Sequence, residues 1–140
     1  PVERLLDFGC NTGRLTGFLS DFTDEIYGAD IDEGYEKKLA ESCSKAKFGL
    51  IKNNKLPFSD EFFDIVFSCK VFQHFSEKVV VEMGLEIKRV LKIGGKLIIY
   101  EGLRKLPYGK DRFDIMPLKK INIIIIEENR DHYELITFKK

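Results

Sequence analysis

Apolar residues form two kinds of pattern along this chain: short runs, and longer stretches with helical spacing. Seven short runs are rich in apolar or β-branched residues, which predicts strands. The predicted strands are Arg4 to Phe8, Glu25 to Asp30, Ala46 to Ile51, Asp64 to Ser68, Lys96 to Tyr100, Asn122 to Glu127 and His132 to Phe138.

Helical spacing appears between the strands. One apolar stripe occupies positions i, i+3, i+4 and i+7 from Leu15 to Phe22, and a similar stripe extends from Val79 to Leu91. A further helix is predicted to start near Glu33. Because strands and helices alternate, the sheet is predicted to be largely parallel.

The last two strands are predicted to be antiparallel. The polar turn from Glu128 to Asp131 joins them, and so short a connection permits only a hairpin. The apolar run Ile121 and Ile123 to Ile126 before this turn is interpreted as a core strand and not as a membrane element. Residues 102–120 contain Pro107, Gly109 and Pro117, which predict a mobile loop without a long helix.

The segment LLDFGCNTG, residues 5 to 13, is a strand followed by a turn with glycines four positions apart. Such a turn lets the main chain approach a ligand closely. A dinucleotide fingerprint starting at Gly9 needs glycine at positions 11 and 14, where this chain has Asn11 and Arg14. No Gly-Lys-Ser/Thr follows Gly13, so a triphosphate loop is also excluded.

A second acidic strand end lies roughly 20 residues beyond the first turn, at the ribose-binding position of nucleotide folds. This is Asp30 in EIYGADID, and Asp32 follows it. A carboxylate there accepts hydrogen bonds from two vicinal hydroxyl groups. One of the two acids is needed as a helix cap, so we assign the ribose to Asp30 and the cap to Asp32.

Four segments in order, LLDFGCNTG, YGADID, LPFSDEFFDIVFS and RVLKIGGKLIIYE, resemble the class I S-adenosylmethionine-dependent methyltransferases. The resemblance covers residues 2 to about 101 and favours the small-molecule branch that includes the ubiquinone and menaquinone biosynthesis C-methyltransferases. It implies a Rossmann-like α/β fold with helices on both faces of a seven-stranded sheet, in the order 3-2-1-4-5-7-6 with an antiparallel C-terminal hairpin. The family's N-terminal helix has no room before the first strand, so we expect a truncated chain.

The resemblance also implies a set of residues that bind S-adenosylmethionine. The first turn would hold the methionine end, Asp30 the ribose, and Ile31 and Leu56 the adenine ring. Asn11 replaces the family's usual middle glycine, and Lys52 replaces the usual adenine-binding acid, so Asn53 is the substitute acceptor. The full predicted set is Asp7, Gly9, Cys10, Asn11, Gly13, Asp30, Ile31, Asn53, Leu56 and Ser68.

Two side chains are candidate bases for the methyl acceptor. His74 lies in a stretch that resembles the family's Leu-x-His-hydrophobic segment near the transferred methyl group, and Glu101 ends the fifth strand. A positioned base adds roughly a hundredfold or more to a proton transfer. The alternatives are a packing role for His74 and simple solvation for Glu101.

Composition limits the remaining possibilities. The chain has 140 residues with 44% hydrophobic content, enough for one domain spanning residues 1–140. Three widely spaced cysteines and two histidines indicate neither a disulfide framework nor a metal site. With no signal-like segment and no membrane-length apolar run, a cytoplasmic protein is expected.

The predicted function is transfer of the methyl group of S-adenosylmethionine to a small-molecule oxygen, nitrogen or carbon. One alternative is a non-catalytic cofactor-binding domain or a partner subunit of another methyltransferase. A nucleic-acid substrate is disfavoured, because the net charge is zero and the segment after the fourth strand reads SCKVF, without an Asn/Asp-Pro-Pro-Tyr/Phe motif. The sequence does not define the acceptor or the oligomeric state.

Overall fold

A computed structural model describes residues 2–102 and 113–140, which contain one seven-stranded sheet. Its strand order is β3-β2-β1-β4-β5-β7-β6, as predicted. β1 to β5 run parallel, whereas β7 is antiparallel to both β5 and β6. The strands are β1 Arg4–Phe8, β2 Glu25–Asp30, β3 Lys47–Leu50, β4 Phe63–Cys69, β5 Leu91–Gly102, β6 Lys119–Glu128 and β7 Asp131–Lys139.

Three α-helices connect the parallel strands: α1 Arg14–Leu19, α2 Tyr35–Ser42 and α3 Glu77–Val90. The ends of α3 follow directly from its sequence. The Ser76 hydroxyl accepts a hydrogen bond from the Val79 N–H at 3.3 Å, and an acid in the first turn and two bases in the last turn complement the helix dipole.

The two faces of the sheet bury separate apolar clusters. On one face, Val80, Met83 and Ile87 of α3 pack with strand residues such as Leu97 and Ile136. A smaller cluster on the other face contains Leu5, Ile26 and Cys43. Alternate residues of a strand point to opposite faces, so one short strand serves both clusters.

The apolar stripe from Leu15 to Phe22 does not form a continuous buried face. Phe18 is 63% exposed and Phe22 is 60% exposed, and their rings contact each other at 5.3 Å. The α-helix ends at Leu19 and a 3₁₀ turn, Ser20–Phe22, follows it. A 3₁₀ turn has three residues per turn, so the apolar stripe does not continue along one helical face.

The sequence analysis predicted that the isoleucine run in β6 is a core strand. This prediction is wrong, because most of the run is exposed. Ile121, Ile123, Ile124 and Ile125 are 44% to 62% exposed. β6 lies at the end of the strand order and pairs only with β7 within the described part of the chain. Hydrophobic continuity cannot reveal that a strand lies at an edge.

Several predicted boundaries move. α3 ends at Val90, and Leu91 pairs with Phe63 as the first residue of β5. α2 begins at Tyr35, after a turn in which the Asp32 carboxylate accepts from the Gly34 N–H at 2.8 Å. Of the loop predicted at 102–120, residues 103–112 lie outside the described residues, and β6 already begins at Lys119.

The terminal hairpin is confirmed, with a tighter turn than its four polar residues suggested. Glu128 and Asp131 pair in the ladder, which leaves Asn129 and Arg130 as the two turn residues. Their φ angles are 50° and 70°, typical of a type I′ turn. Among the described residues, no helix is long and apolar enough to cross a membrane.

Candidate active site

A cavity of about 680 Å³ opens at the carboxyl ends of β1, β2 and β4. Ligands of open α/β sheets bind at this edge, where strand order reverses around β1. Sixteen residues line the cavity: Asp7, Phe8, Gly9, Cys10, Asn11, Thr12, Arg14, Leu15, Asp30, Ile31, Ile51, Cys69, Lys70, Val71, His74 and Phe75.

The turn after β1 forms one wall of the cavity, and its backbone explains its sequence. Gly9, Asn11 and Gly13 all have positive φ angles, of 77°, 51° and 85°. A Cβ atom on Gly9 would lie 2.3 Å from a methyl carbon of Val71, so only glycine fits there. Asn11 tolerates the left-handed region better than most residues, which accounts for its presence.

Asp7 is a buried carboxylate in the cavity, with 2% of its surface exposed. The Thr16 hydroxyl of α1 donates to it at 2.6 Å. Burial raises the pKa of Asp7 to about 6, the Thr16 hydrogen bond opposes this rise, and the charge of Asp30 adds to it. A cation placed in the cavity would favour the ionised form of Asp7.

Asp30 ends β2 at the edge of the same cavity. Its two carboxylate oxygens accept from different backbone groups: the Asn11 N–H at 2.9 Å and the Ile31 N–H at 2.7 Å. These bonds fix the carboxylate on the first turn and leave each oxygen with further acceptor capacity. Ile31, which is 76% exposed, extends apolar surface beside it.

Cys10 lies in the first turn, where its surroundings disfavour the thiolate form. Burial and the nearby Asp7 and Asp30 charges raise the pKa of its thiol to about 12. The thiol therefore stays protonated at neutral pH, and only a thiolate is strongly nucleophilic. Within residues 2–102 and 113–140, no three His, Cys, Asp or Glu side chains gather as a metal-binding group.

Five of the predicted residues do not line the cavity: Gly13, Asn53, Leu56, Ser68 and Glu101. Asn53 is exposed in the short turn after β3, and Leu56 is buried in the main apolar cluster. Ser68 is completely buried in β4 beside Phe8. Ile51, which the sequence did not single out, takes the cavity-lining position after β3.

The two candidate bases lie at different depths. His74 belongs to a 3₁₀ turn, Phe72–His74, and lines the cavity. Glu101 is 1% exposed, and its carboxylate accepts from the Gln73 N–H at 3.3 Å. Gln73 therefore links the segment of His74 to the end of β5.

The sequence did not single out Thr12, Arg14 and Leu15 as cavity residues, whereas Phe75 belongs to the predicted Leu-x-His-hydrophobic stretch near the transferred methyl group. Leu15 and Phe75 sit within apolar patterns that served equally well as core signals. Thr12 and Arg14 gave no signal beyond their proximity to the glycine turn. Lys70 directly follows the fourth strand, at the edge where ligands are expected, and has a φ angle of 56° although it is not glycine.

A second cavity of about 450 Å³ adjoins the first, and Lys70 lines both. The Lys70 ammonium lies 4.9 Å from the centre of the Tyr133 ring and 5.9 Å from that of Tyr100, and these two rings stack at 5.1 Å. The tip of the terminal hairpin forms another wall of this cavity. Its lining residues are Lys70, Gln73, Gly102, Arg130, Asp131, His132 and Tyr133.

Comparison with known proteins identifies what this arrangement resembles. A family model described as a methyltransferase domain matches residues 6–99. The chain is 32% identical over 76% of its length to the sterol 4-C-methyltransferase strm-1 of Caenorhabditis elegans, covering 33% of that protein. It is 31% identical over 86% of its length to the ubiquinone/menaquinone biosynthesis C-methyltransferase UbiE of Vibrio vulnificus, covering 46% of that protein.

A solved structure shares the whole fold. The N-methyltransferase NodS of Bradyrhizobium japonicum, in complex with S-adenosyl-L-homocysteine, superimposes with a TM-score of 0.79 at 15% identity. The match covers 99% of this chain and 78% of that chain. By contrast, the chain spans less than half the length of the two curated relatives.

Proposed function

The chain belongs to the class I S-adenosylmethionine-dependent methyltransferases, and we propose that it transfers the methyl group of this cofactor to a small-molecule acceptor. One observation carries the proposal. The turn after β1 and the Asp30 carboxylate are hydrogen-bonded to each other and line the same cavity. In this arrangement the main chain of the turn can approach a ligand closely, and the carboxylate can accept hydrogen bonds from hydroxyl groups of the same ligand.

The residues around the cavity fit S-adenosylmethionine. Asp30 would accept hydrogen bonds from the ribose hydroxyl groups, and Asp7 would face the positively charged methionine end. Ile31 and Ile51 would offer apolar surface to the adenine ring. Gly9, Cys10 and Asn11 would approach the methionine portion through the main chain, because the glycine turn brings that chain into the cavity.

Four other residues have supporting roles in the proposal. Gly13 precedes α1 with a φ angle of 85° and so turns the chain into that helix. Ser68 and Leu56 are buried, and we infer that they support the cavity wall without lining it. Asn53 stays a proposed adenine contact, based on its place in the turn after β3.

Methyl transfer from a sulfonium requires little acid or base catalysis by the protein. When bound, the cofactor supplies an electrophilic methyl group on a sulfonium sulfur. The main task of the protein is to hold the acceptor atom about 3 Å from that carbon, in line with the breaking bond. His74 faces the cavity and is the proposed acceptor of a proton from the substrate, whereas the buried Glu101 would act only through its hydrogen bond from the Gln73 N–H.

The second cavity is the proposed entrance for the methyl acceptor. It shares Lys70 with the cofactor cavity and opens between the end of β5 and the hairpin tip. The stacked rings of Tyr100 and Tyr133 give this side of the protein a flat aromatic surface. A small planar acceptor could therefore rest there while its reacting atom points to the cofactor cavity.

Methyl labelling tests this function. The protein is incubated with S-adenosylmethionine labelled on its methyl group, together with either small-molecule extracts or purified tRNA and DNA. We expect label in the small-molecule fraction alone. Label confined to nucleic acid would contradict the substrate class, and failure to label any fraction, despite cofactor binding, would favour the non-catalytic alternative.

The same assay tests His74 once an acceptor has been isolated. His74→Gln should lower kcat roughly a hundredfold with little change in the KM for S-adenosylmethionine, because the base acts on the acceptor. Lys88→Gln, at an exposed position of α3 that lines neither cavity, is the control. Equal kcat values for His74→Gln and the unaltered protein would remove His74 from the chemistry.

A further inference from the structure

β6 presents an apolar outer edge that the fold leaves unpaired. Within the described residues, no strand pairs with the side of β6 that faces away from β7. Four of its isoleucines are 44% to 62% exposed: Ile121, Ile123, Ile124 and Ile125. Natural sheets usually protect such edges with charges, proline or bulges, because free main-chain groups recruit other strands.

The charge distribution along β6 is complementary to itself. Lys119 and Lys120 begin the strand, Glu127 and Glu128 end it, and the exposed isoleucines lie between them. When two copies of such a strand align antiparallel, the basic end of each meets the acidic end of the other. A parallel alignment would instead place like charges together.

We propose that β6 pairs antiparallel with β6 of a second copy of this chain, forming a homodimer through a two-fold axis at Ile124. The two seven-stranded sheets then continue into one another. This interface is isologous: the same surface serves both copies, so the assembly closes at two.

The register follows from the geometry of the hairpin. Glu128 and Asp131 flank a two-residue turn and form its hydrogen-bonded pair. The alternation of an antiparallel ladder then directs the main-chain groups of Ile123 and Ile125 away from β7, towards the outer edge. With Ile124 opposite itself, Ile123 meets Ile125 of the second copy, and these outward groups face one another.

The same alignment brings the Lys120 end of one copy near the Glu128 end of the other. A register shift between Lys120 and Asn122 interrupts the regular alternation of β6, so the attraction between these two ends rests on their opposite charges and not on a direct cross-strand pair. Within its own chain, Lys120 also lies 3.3 Å from Asp114. The pairing therefore adds a carboxylate to a lysine whose position is already restrained.

The first test measures molar mass. Sedimentation velocity of the full chain should give twice the 16.2 kDa of one chain at micromolar concentration. Ile124→Lys places two ammonium groups on the two-fold axis and should halve that mass. Ile93→Lys is the matched control, because Ile93 is 81% exposed on β5, away from β6, and should leave the dimer unchanged.

The second test is charge reversal. Lys120→Glu should raise the dimer dissociation constant about tenfold or more, and the double variant Lys120→Glu/Glu128→Lys should recover most of that loss. Circular dichroism verifies that each variant is folded. A monomeric parent chain, a dimer that tolerates Ile124→Lys, open-ended assembly, or a double variant no better than Lys120→Glu would overturn the proposed pairing.

Discussion

At the residue scale, Asp7 links burial to function. Its pKa rises from 3.8 to about 6, chiefly because the carboxylate is removed from water. At a pH between 3.8 and about 6, Asp7 is still protonated in the cofactor-free folded chain but has already lost its proton in the unfolded chain. Linkage therefore predicts that the contribution of Asp7 to stability falls as the pH rises from about 4 to about 6, and stays low above pH 6.

Asp7→Asn tests this linkage. The amide is neutral at every pH and can still accept from the Thr16 hydroxyl, so it removes the cost of a buried charge. Urea unfolding should show the variant about 1–3 kcal/mol more stable than the parent at pH 7.5, with the difference vanishing near pH 4. Asp32→Asn, at an exposed site, serves as the control. A destabilised variant at pH 7.5 would contradict the account.

At the scale of an element, the turn after β1 packs closely against the segment that follows β4, where Gly9 meets Val71. Gly9→Ala combines a left-handed backbone angle with a Cβ atom 2.3 Å from Val71. The two effects together should cost about 2–4 kcal/mol of unfolding free energy. Gly102→Ala, where nothing lies within 4 Å, should stay within about 0.5 kcal/mol.

A double variant separates the two causes. Gly9→Ala/Val71→Ala relieves the overlap but not the backbone angle, so it should recover only part of the loss. The free energy of unfolding is measured with denaturant for the parent chain, the two single glycine variants and the double variant. If the Gly9→Ala variant were as stable as the Gly102→Ala variant, the close approach at Gly9 would not be a structural requirement.

Helix α3 contains an ion pair between Arg89 and the buried Glu86, and hydrogen bonds from this pair connect the helix to the segment after β3. Arg89 donates to both oxygens of Glu86, at 2.8 and 2.9 Å, and also to the carbonyl groups of Leu56 and Phe58. Hydrogen bonds from Arg89 are the largest influence that lowers the pKa of Glu86 to about 2. Glu86 thus contributes stability above its ordinary pKa of 4.5, which is lost as the pH falls towards 2.

Arg89→Met should expose the cost of the buried Glu86 charge. We expect a loss of about 2–4 kcal/mol at pH 7, because the carboxylate is 4% exposed and loses its main partner. The loss should shrink at pH 3, and Arg89→Met/Glu86→Leu should recover part of it. Lys88→Met, one position earlier on the helix, is the control. An equal loss at pH 7 and pH 3 would argue against an electrostatic origin.

At the scale of the whole molecule, the sequence predicted the strands of the sheet better than it predicted which apolar residues are buried. β1 and β2 occupy their predicted ranges, because compact apolar runs with acidic or polar ends define a strand locally. The isoleucine run of β6 was predicted to be a core strand, yet four of its residues are exposed, and Phe18 and Phe22 of the apolar helical stripe are exposed as well. Whether an apolar residue is covered depends on neighbours from distant parts of the chain, which periodicity does not reveal.

In the candidate site, too, some features could be predicted from the sequence and others could not. Asp30 and the glycine turn could be found from spacing, because both lie within 25 residues of one another on adjacent strands. The contact of Lys70 with the Tyr100 and Tyr133 rings could not, since it depends on the pairing of β5 with β7. Local motifs thus define the cofactor side, whereas tertiary pairing builds the opposite side.

Asp30 and the first turn are proposed to form one site for S-adenosylmethionine, and calorimetric titration with S-adenosylhomocysteine measures the affinity of that site. We predict that the parent chain binds the product, that Asp30→Ala lowers the affinity a hundredfold or more, and that Asp32→Ala binds as the parent does. Circular dichroism should show all three proteins folded. Binding of equal strength by Asp30→Ala and the parent chain would contradict the account.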